Sequence, residues 1–315
     1  MFYKNKKVLV TGAGGLVGSQ VAKMLVEQGA IVRASYRGRE VPSWVGDVEK
    51  VKADFMDIED VKKCVNGMDI VFVCSANTSG AGIMAHDPLQ HVTPNLIMNS
   101  TLMEQSYRAG VDRFFFVSSA TTYPPADYPI KESEVFDGEP YKTYFGVGWM
   151  KRYTEILGQF YQRNGLMNIA IVRPANIYGV QGDFTDESGH VLPALIRRAL
   201  EKQTPYEVWG NPDVVRDFTH SVDMARACLD VVEHYAVCDP INIASGNLVT
   251  IGESVDLILK CANHNVKPEY DESKPVTIQY RALDTSKAKE VIGYEPTISF
   301  EDGIQETVDW IRDNM

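Results

Sequence analysis

The chain has 315 residues and an ordinary globular composition, 44% hydrophobic and 23% charged. Its length suits one large domain or two intimately joined ones. A net charge of −11 argues against non-specific binding to nucleic acid or to an anionic membrane, both of which need clustered Lys and Arg, yet it leaves room for a local basic pocket around a phosphorylated small molecule.

The N-terminal "MFYKNKKVLVTG" carries an apolar run too short for the core of a signal peptide, and no uncharged apolar run reaches the ~18 residues a membrane span needs. "KVLVTG" (7–12) reads as a buried strand. "GSQVAKMLVEQG" (18–29) reads as a helix with Val21, Leu25 and Val26 on one face and Gly29 as its stop. Between them, Thr11, Gly12, Gly15 and Gly18 form T-G-x-x-G-x-x-G. After a strand and before a helix, this spacing predicts a dinucleotide cradle. Gly12 permits the tight turn, Gly15 the approach of a pyrophosphate and Gly18 close helix–strand packing, while the helix start (Leu16, Val17) offers amides and a positive dipole.

"IVRASY" is a second strand, followed by "RGRE". No acidic residue precedes Glu40 to meet a ribose 2′-hydroxyl. Ser35, Arg37 and Arg39 stand available for a 2′-phosphate instead, which favours NADP, with NAD as the alternative. After a short third strand, "ADFMD" puts Asp54 and Phe55 where adenine could be recognised or where the chain merely turns. "DIVFVCSA" (69–76), "RFFFVSSA" (113–120) and "NIAIVRPAN" (168–176) are further continuous apolar strands. Each is followed by a helix-length segment, as in a parallel sheet covered on both faces. The expected fold is α/β, a doubly wound parallel sheet over residues 1–180. Gly-, Asp- and Pro-rich loops (179–190, 210–217) and helices near 191–202 and 221–235 follow. "PINIA" (240–244) returns to the sheet, and 300–315 reads as an amphipathic helix. Residues 181–315 are expected to form mainly a smaller α/β substrate domain.

With "VSSATTYP", "RPANIYG", "VVRDFTHSVDMA" and "RALDTSKAKEVIGYEP" added to the glycine motif, the chain resembles, over nearly its whole length, the extended short-chain dehydrogenase/reductase family. This is the Rossmann-type group that modifies nucleotide-activated sugars. "NIYGVQGDFTDESGHVLPALIRRA" and "VWGNPDVVRDFTH" are most similar to its GDP-fucose synthase branch. The resemblance implies an NAD(P)-dependent epimerase or reductase moving a hydride at a sugar carbon, C4 above all, of a GDP- or UDP-sugar. It implies that Ser119 orients the reacting oxygen, Thr121 is an auxiliary residue, Lys151 holds the nicotinamide ribose and His190 is a second acid. It further implies that Ser75, Ala76 and Pro174 border the cofactor, and that Asn176, Arg198, Trp209, Arg216 and Arg281 bind the nucleoside diphosphate. Arginine forks match phosphate oxygens bidentately, so such a set is chemically apt. Relatives of this kind commonly form homodimers through a bundle of helices that includes the one carrying the lysine.

"TYFGVGWMKRYTE" (143–155) departs from the family. Four residues before Lys151, one helical turn away on the same face, the family keeps a catalytic tyrosine; here stands Val147. Three readings remain. Tyr144, two turns before Lys151, substitutes; His190 or a water on Ser119 gives the proton; or the protein is a catalytically weakened sensor of NADP(H) or nucleotide sugar. The five cysteines (64, 74, 228, 238, 261) are odd in number and form no C-x-x-C pair, so a reducing, cytoplasmic setting without a structural metal is expected.

Overall fold

A computed structural model of the chain describes residues 1–78, 88–182, 184, 190–274 and 278–315. Its main sheet is built from β1 (Lys7–Thr11), β2 (Ile31–Tyr36), β3 (Glu49–Lys52), β4 (Ile70–Val73), β5 (Arg113–Val117), β6 (Asn168–Pro174) and β10 (Ile241–Ile243). These pair in the order β10-β6-β5-β4-β1-β2-β3, every pair parallel. The order reverses between β1 and β4, and a crevice opens at such a switch point, outside the carboxyl ends of the strands.

The apolar runs are continuous because both faces are covered. Successive side chains of a strand point to opposite faces. On one face Val8, Val10, Phe72 and Phe115 meet α1 (Leu16–Glu27) and α6 (Ser221–His234). On the other, Leu9, Val71, Phe114 and Phe116 meet α2 (Ile58–Val65), α3 (Thr93–Arg108) and α4 (Phe145–Arg163). Fully burying one such side chain is worth about 1.5–3 kcal/mol, so the alternation fixes strand register as well as stability.

The second half of the chain is interleaved with the first. Helix α6 follows strand β9 (Val215–His220), yet it packs on α1 and the main sheet, and α8 (Ser286–Ile292) lies against it. A smaller sheet joins β9 to β7 (Asn176–Tyr178), β11 (Leu248–Thr250) and β13 (Tyr280–Arg281). A two-stranded sheet pairs β8 (Tyr206–Trp209) with β12 (Pro268–Asp271). A separate core of Leu195, Ile196, Phe218, Val255, Ile258 and Val308 lies under α5 (Val191–Leu200), α7 (Ile251–Cys261) and α9 (Phe300–Asn314). Among the described residues no helix is long and apolar enough to cross a membrane.

Candidate active site

The glycine turn is set by contact. Gly12 has φ +65°, a left-handed conformation that favours glycine. A Cβ on Gly18 would lie 2.3 Å from the Gly12 carbonyl oxygen, so only glycine lets α1 close on β1. Helix α1 is capped by Gly15 with no side-chain hydrogen bond, and its first turn holds no acidic residue. The amides of Leu16, Val17 and Gly18 therefore open the helix with its positive end uncompensated, which fits a dinucleotide pyrophosphate. The Thr11 hydroxyl accepts the amide protons of Cys74 and Ser75 at 3.1 and 3.0 Å. This ties the ends of β1 and β4 together and brings Ser75 and Ala76 beside the cradle.

At the end of β2 the picture is mixed. Ser35 is fully buried, its hydroxyl turned to the Val10 carbonyl. It faces the core because strand alternation puts Ser35 and Tyr36 on opposite sides, so it is not open to a ribose phosphate. Arg37 is exposed and bonds Asn77 Oδ1 at 3.0 Å, with the Asp54 carboxylate 4.0 Å away. Arg39 spans the crevice, donating to the carbonyls of Gln181 and Gly182 at 2.6 and 2.7 Å. Phe55 is 5% exposed and packs in the core with Val61 and Val71; what it can offer adenine is its backbone.

The catalytic candidates gather where α4 lies on the turn after β5. Lys151 Nζ donates to the Val117 carbonyl at 2.7 Å and sits 4.5 Å above the Phe116 ring. Burial pushes its ammonium down to about 8, with Glu155 partly restoring it. A Cβ on Gly148 would lie 2.5 Å from the Thr121 carbonyl oxygen, so glycine there lets the helix touch the turn. Ser119 Oγ accepts the Thr121 amide proton at 3.1 Å and caps the turn. The Thr121 hydroxyl is buried without a hydrogen-bond partner among the described residues. Val147 is half-buried, directly before Gly148.

Below them lies a network absent from the sequence reading. Arg173 and Glu155, 3% and 4% exposed at their side chains, form an ion pair at 2.6 Å. Ser118 donates to Glu155, Arg173 donates to the Tyr123 hydroxyl at 2.9 Å, and Tyr123 donates to Asn242 at 2.6 Å. The signal was present: Glu155 follows Lys151 by one turn on the same face, opposite the arginine of strand β6.

The substrate candidates fall into separate groups. Arg216 and Arg281 are register partners on β9 and β13, both nearly buried. Arg216 donates to the Ile278 carbonyl at 2.6 Å and Arg281 to the Ala120 carbonyl, between Ser119 and Thr121. Arg281 Nη2 is buried with no hydrogen bond among the described residues. Burial pushes Arg216 down to about 10, opposed by Tyr144 and furthered by Arg281; burial lowers Arg281 too, opposed by Tyr144 and Tyr123. Tyr144 caps α4 with its ring 5.4 Å from the Arg281 guanidinium. Trp209 and Arg198 meet through Glu207, whose carboxylate accepts from Trp209 Nε1 at 2.9 Å and whose carbonyl accepts from Arg198 at 3.1 Å. Asn176 opens β7, Pro174 ends β6, and His190 is exposed at the N-cap of α5. Residues 183 and 185–189, which the sequence suggests as a loop, lie outside the described residues. Among the described residues no three His, Cys, Asp or Glu are grouped to hold a metal ion.

A profile of the NAD dependent epimerase/dehydratase family matches residues 8–244. The chain is 29% identical over 324 residues to putative GDP-L-fucose synthase 2 of Arabidopsis thaliana, covering 100% of this chain and 94% of that one. It is 27% identical over 316 residues to GDP-mannose 3,5-epimerase 1 of Oryza sativa subsp. japonica, covering 98% and 82%. It superposes on the UDP-glucose 4-epimerase of Thermotoga maritima, solved with UDP-glucose, with a TM-score of 0.86 at 26% identity over 98% and 99% of the two chains.

Proposed function

This chain belongs to the NAD dependent epimerase/dehydratase family, and on that premise we propose that it is an NAD(P)-dependent epimerase or reductase of a GDP- or UDP-sugar, transferring hydride at sugar C4. A nicotinamide bound in the crevice supplies the hydride acceptor or donor. Ser119 orients the reacting oxygen, Lys151 holds the ribose, and Thr121 offers its unpaired hydroxyl to the sugar. Arg216 and Arg281, with Asn176, Arg198, Trp209 and His190, take the nucleoside diphosphate and sugar. The proton comes from a group other than a tyrosine at position 147; Tyr144 and His190 are the candidates the sequence offers. Residues 1–180 with the strand at 240–244 serve the dinucleotide, 181–315 mainly the substrate.

The observation that carries this reading is the pair Arg216–Arg281. Two guanidiniums are desolvated side by side, and Arg281, with one nitrogen unbonded among the described residues, is tied through Ala120 to the Ser119 turn. A buried guanidinium with a donor to spare favours an anionic acceptor, and a nucleoside diphosphate supplies one. NADP is favoured over NAD by Arg37 and Arg39 and by the lack of an acid on β2. A homodimer is favoured by α4, whose exposed Phe145, Trp149, Tyr153, Ile156 and Phe160 recur at helical spacing as one apolar stripe. The five cysteines are all unpaired, in keeping with a reducing, cytoplasmic setting.

The test is to denature the purified protein, identify the nucleotide released, and measure thermal shifts with GDP- and UDP-sugars. Oxidised, tightly held cofactor indicates an epimerase and freely exchanging cofactor a reductase. A protein that retains and binds no nicotinamide nucleotide, and ignores both sugar classes, does not have this function.

A further inference from the structure

The proposed reaction leaves its proton unassigned, and the packing of α4 narrows the choice. Three contacts fix which face of the helix meets the segment after β5: Gly148 on the Thr121 carbonyl, Lys151 on the Val117 carbonyl and Glu155 on the Ser118 hydroxyl. Val147 flanks that face and has no proton to give. Glu155 is committed to Arg173 in a buried pair. Tyr144, at the cap, has its ring on Arg281, and His190 is exposed at the start of α5.

On the helix face that meets the turn, Lys151 is the side chain that still has protons to give. Of its three ammonium protons, one goes to Val117. The remaining two suffice for a cofactor ribose oxygen and for a sugar oxygen held by Ser119.

Resting on the function proposed above, we propose that Lys151 is itself the general acid and base of this enzyme, in place of the tyrosine that Val147 displaces. In the reducing direction the hydride of a reduced nicotinamide adds to the sugar carbonyl carbon. The C=O π pair moves to oxygen, and that oxygen takes a proton from Lys151 Nζ, so an N–H bond breaks and an O–H bond forms. The nicotinamide is oxidised, the sugar carbon is reduced, and the neutral amine regains its proton from water. In the oxidising direction the neutral amine accepts the hydroxyl proton.

The surroundings suit the role. Among the described residues, the groups that meet Nζ are the Phe116 ring and the Val117 carbonyl of β5, both uncharged. Glu155, on its own helix, is the ionised neighbour that acts on it. Burial places the ammonium near 8, where a group both gives and takes protons at neutral pH.

The experiment measures turnover of GDP-mannose, UDP-glucose and GDP-4-keto-6-deoxymannose with NADP(H) against pH. The proteins compared are the unaltered one, Lys151→Arg, Val147→Tyr and the double variant, with dinucleotide affinity measured for each. Arginine keeps the charge and the donors but does not give up its proton. Lys151→Arg is expected to lose about 10²–10⁴ in rate while still binding NADPH. Val147→Tyr in that background is expected to restore at least tenfold, because a tyrosine then carries the proton. If Lys151 only holds the ribose, the two substitutions combine without coupling; that outcome, or a Lys151→Arg rate near the original, overturns the proposal. Should Lys151→Arg fail to fold or to bind NADPH, the pH–rate limb near 8 is followed in Tyr144→Phe and His190→Gln. Its persistence in both supports Lys151, and its loss in either overturns it. No turnover of any substrate by the unaltered protein would sink the proposed function first, whereas turnover indifferent to Lys151→Arg would sink this inference alone.

Discussion

Arg281 stands beside Arg216 in parallel register, and its guanidinium also holds the Ala120 carbonyl, so one side chain joins the buried cationic pair to the turn that carries Ser119 and Thr121. Replacing it with alanine should weaken nucleotide-sugar binding about 10- to 100-fold, the equivalent of one or two charge-assisted hydrogen bonds. Affinity for NADPH should stay within a few-fold. Isothermal titration with GDP- and UDP-sugars checks both; equal losses for sugar and dinucleotide would mean that Arg281 supports the fold rather than the diphosphate.

Gly148 is where α4 touches the turn. An alanine there puts Cβ 2.5 Å from the Thr121 carbonyl oxygen and 2.6 Å from Pro140 Cβ. The helix must move away, taking Lys151 with it, and displacements of this order cost about 10²-fold in rate. Steady-state kinetics should show kcat falling by at least tenfold with NADPH affinity little changed.

Glu155 both anchors Arg173 and raises the Lys151 ammonium. Glu155→Gln should therefore do two things. It leaves Arg173 buried and unpaired, costing about 3–5 kcal/mol, read as a lowered Tm. It also lets the Lys151 proton leave more readily. Reduction requires that proton, so its rate falls as pH rises through about 8 in the unaltered protein, and in Glu155→Gln the limb should move to lower pH. A limb that stays in place would separate Glu155 from Lys151.

Arg39 reaches across the crevice to two uncharged carbonyls, acceptors that a phosphate dianion outcompetes. Arg39→Ala should cut the preference for NADPH over NADH by about tenfold or more, the worth of one charge-assisted bond, measured as the ratio of dissociation constants. An unchanged ratio would leave the 2′-phosphate to Arg37.

Much of this was legible in the chain. Runs such as "FFFV" (114–117) are apolar at every position because the sheet is covered on both faces, and the glycine spacing forces the α1 cradle. What the sequence could not place are contacts made by short, distant segments. The β9–β13 pairing brings Arg281 to Arg216 across 65 residues with only two residues of strand. Neither composition nor periodicity marks such a pairing. Ser35 was misplaced because its residue type suits a ribose, while strand alternation turns it inward. Helix α6 was seen as a helix, but its return to the main sheet depends on burial against α1 and β6.

The account stands on hydride exchange with a nucleotide sugar. The direct measurement loads the protein with NADP(H), adds GDP- or UDP-sugars anaerobically, and follows the near-ultraviolet absorption of the reduced nicotinamide. The account predicts that at least one sugar raises or bleaches that band, and that the change slows at least a hundredfold in Lys151→Arg. A loaded protein whose band no nucleotide sugar alters would contradict it.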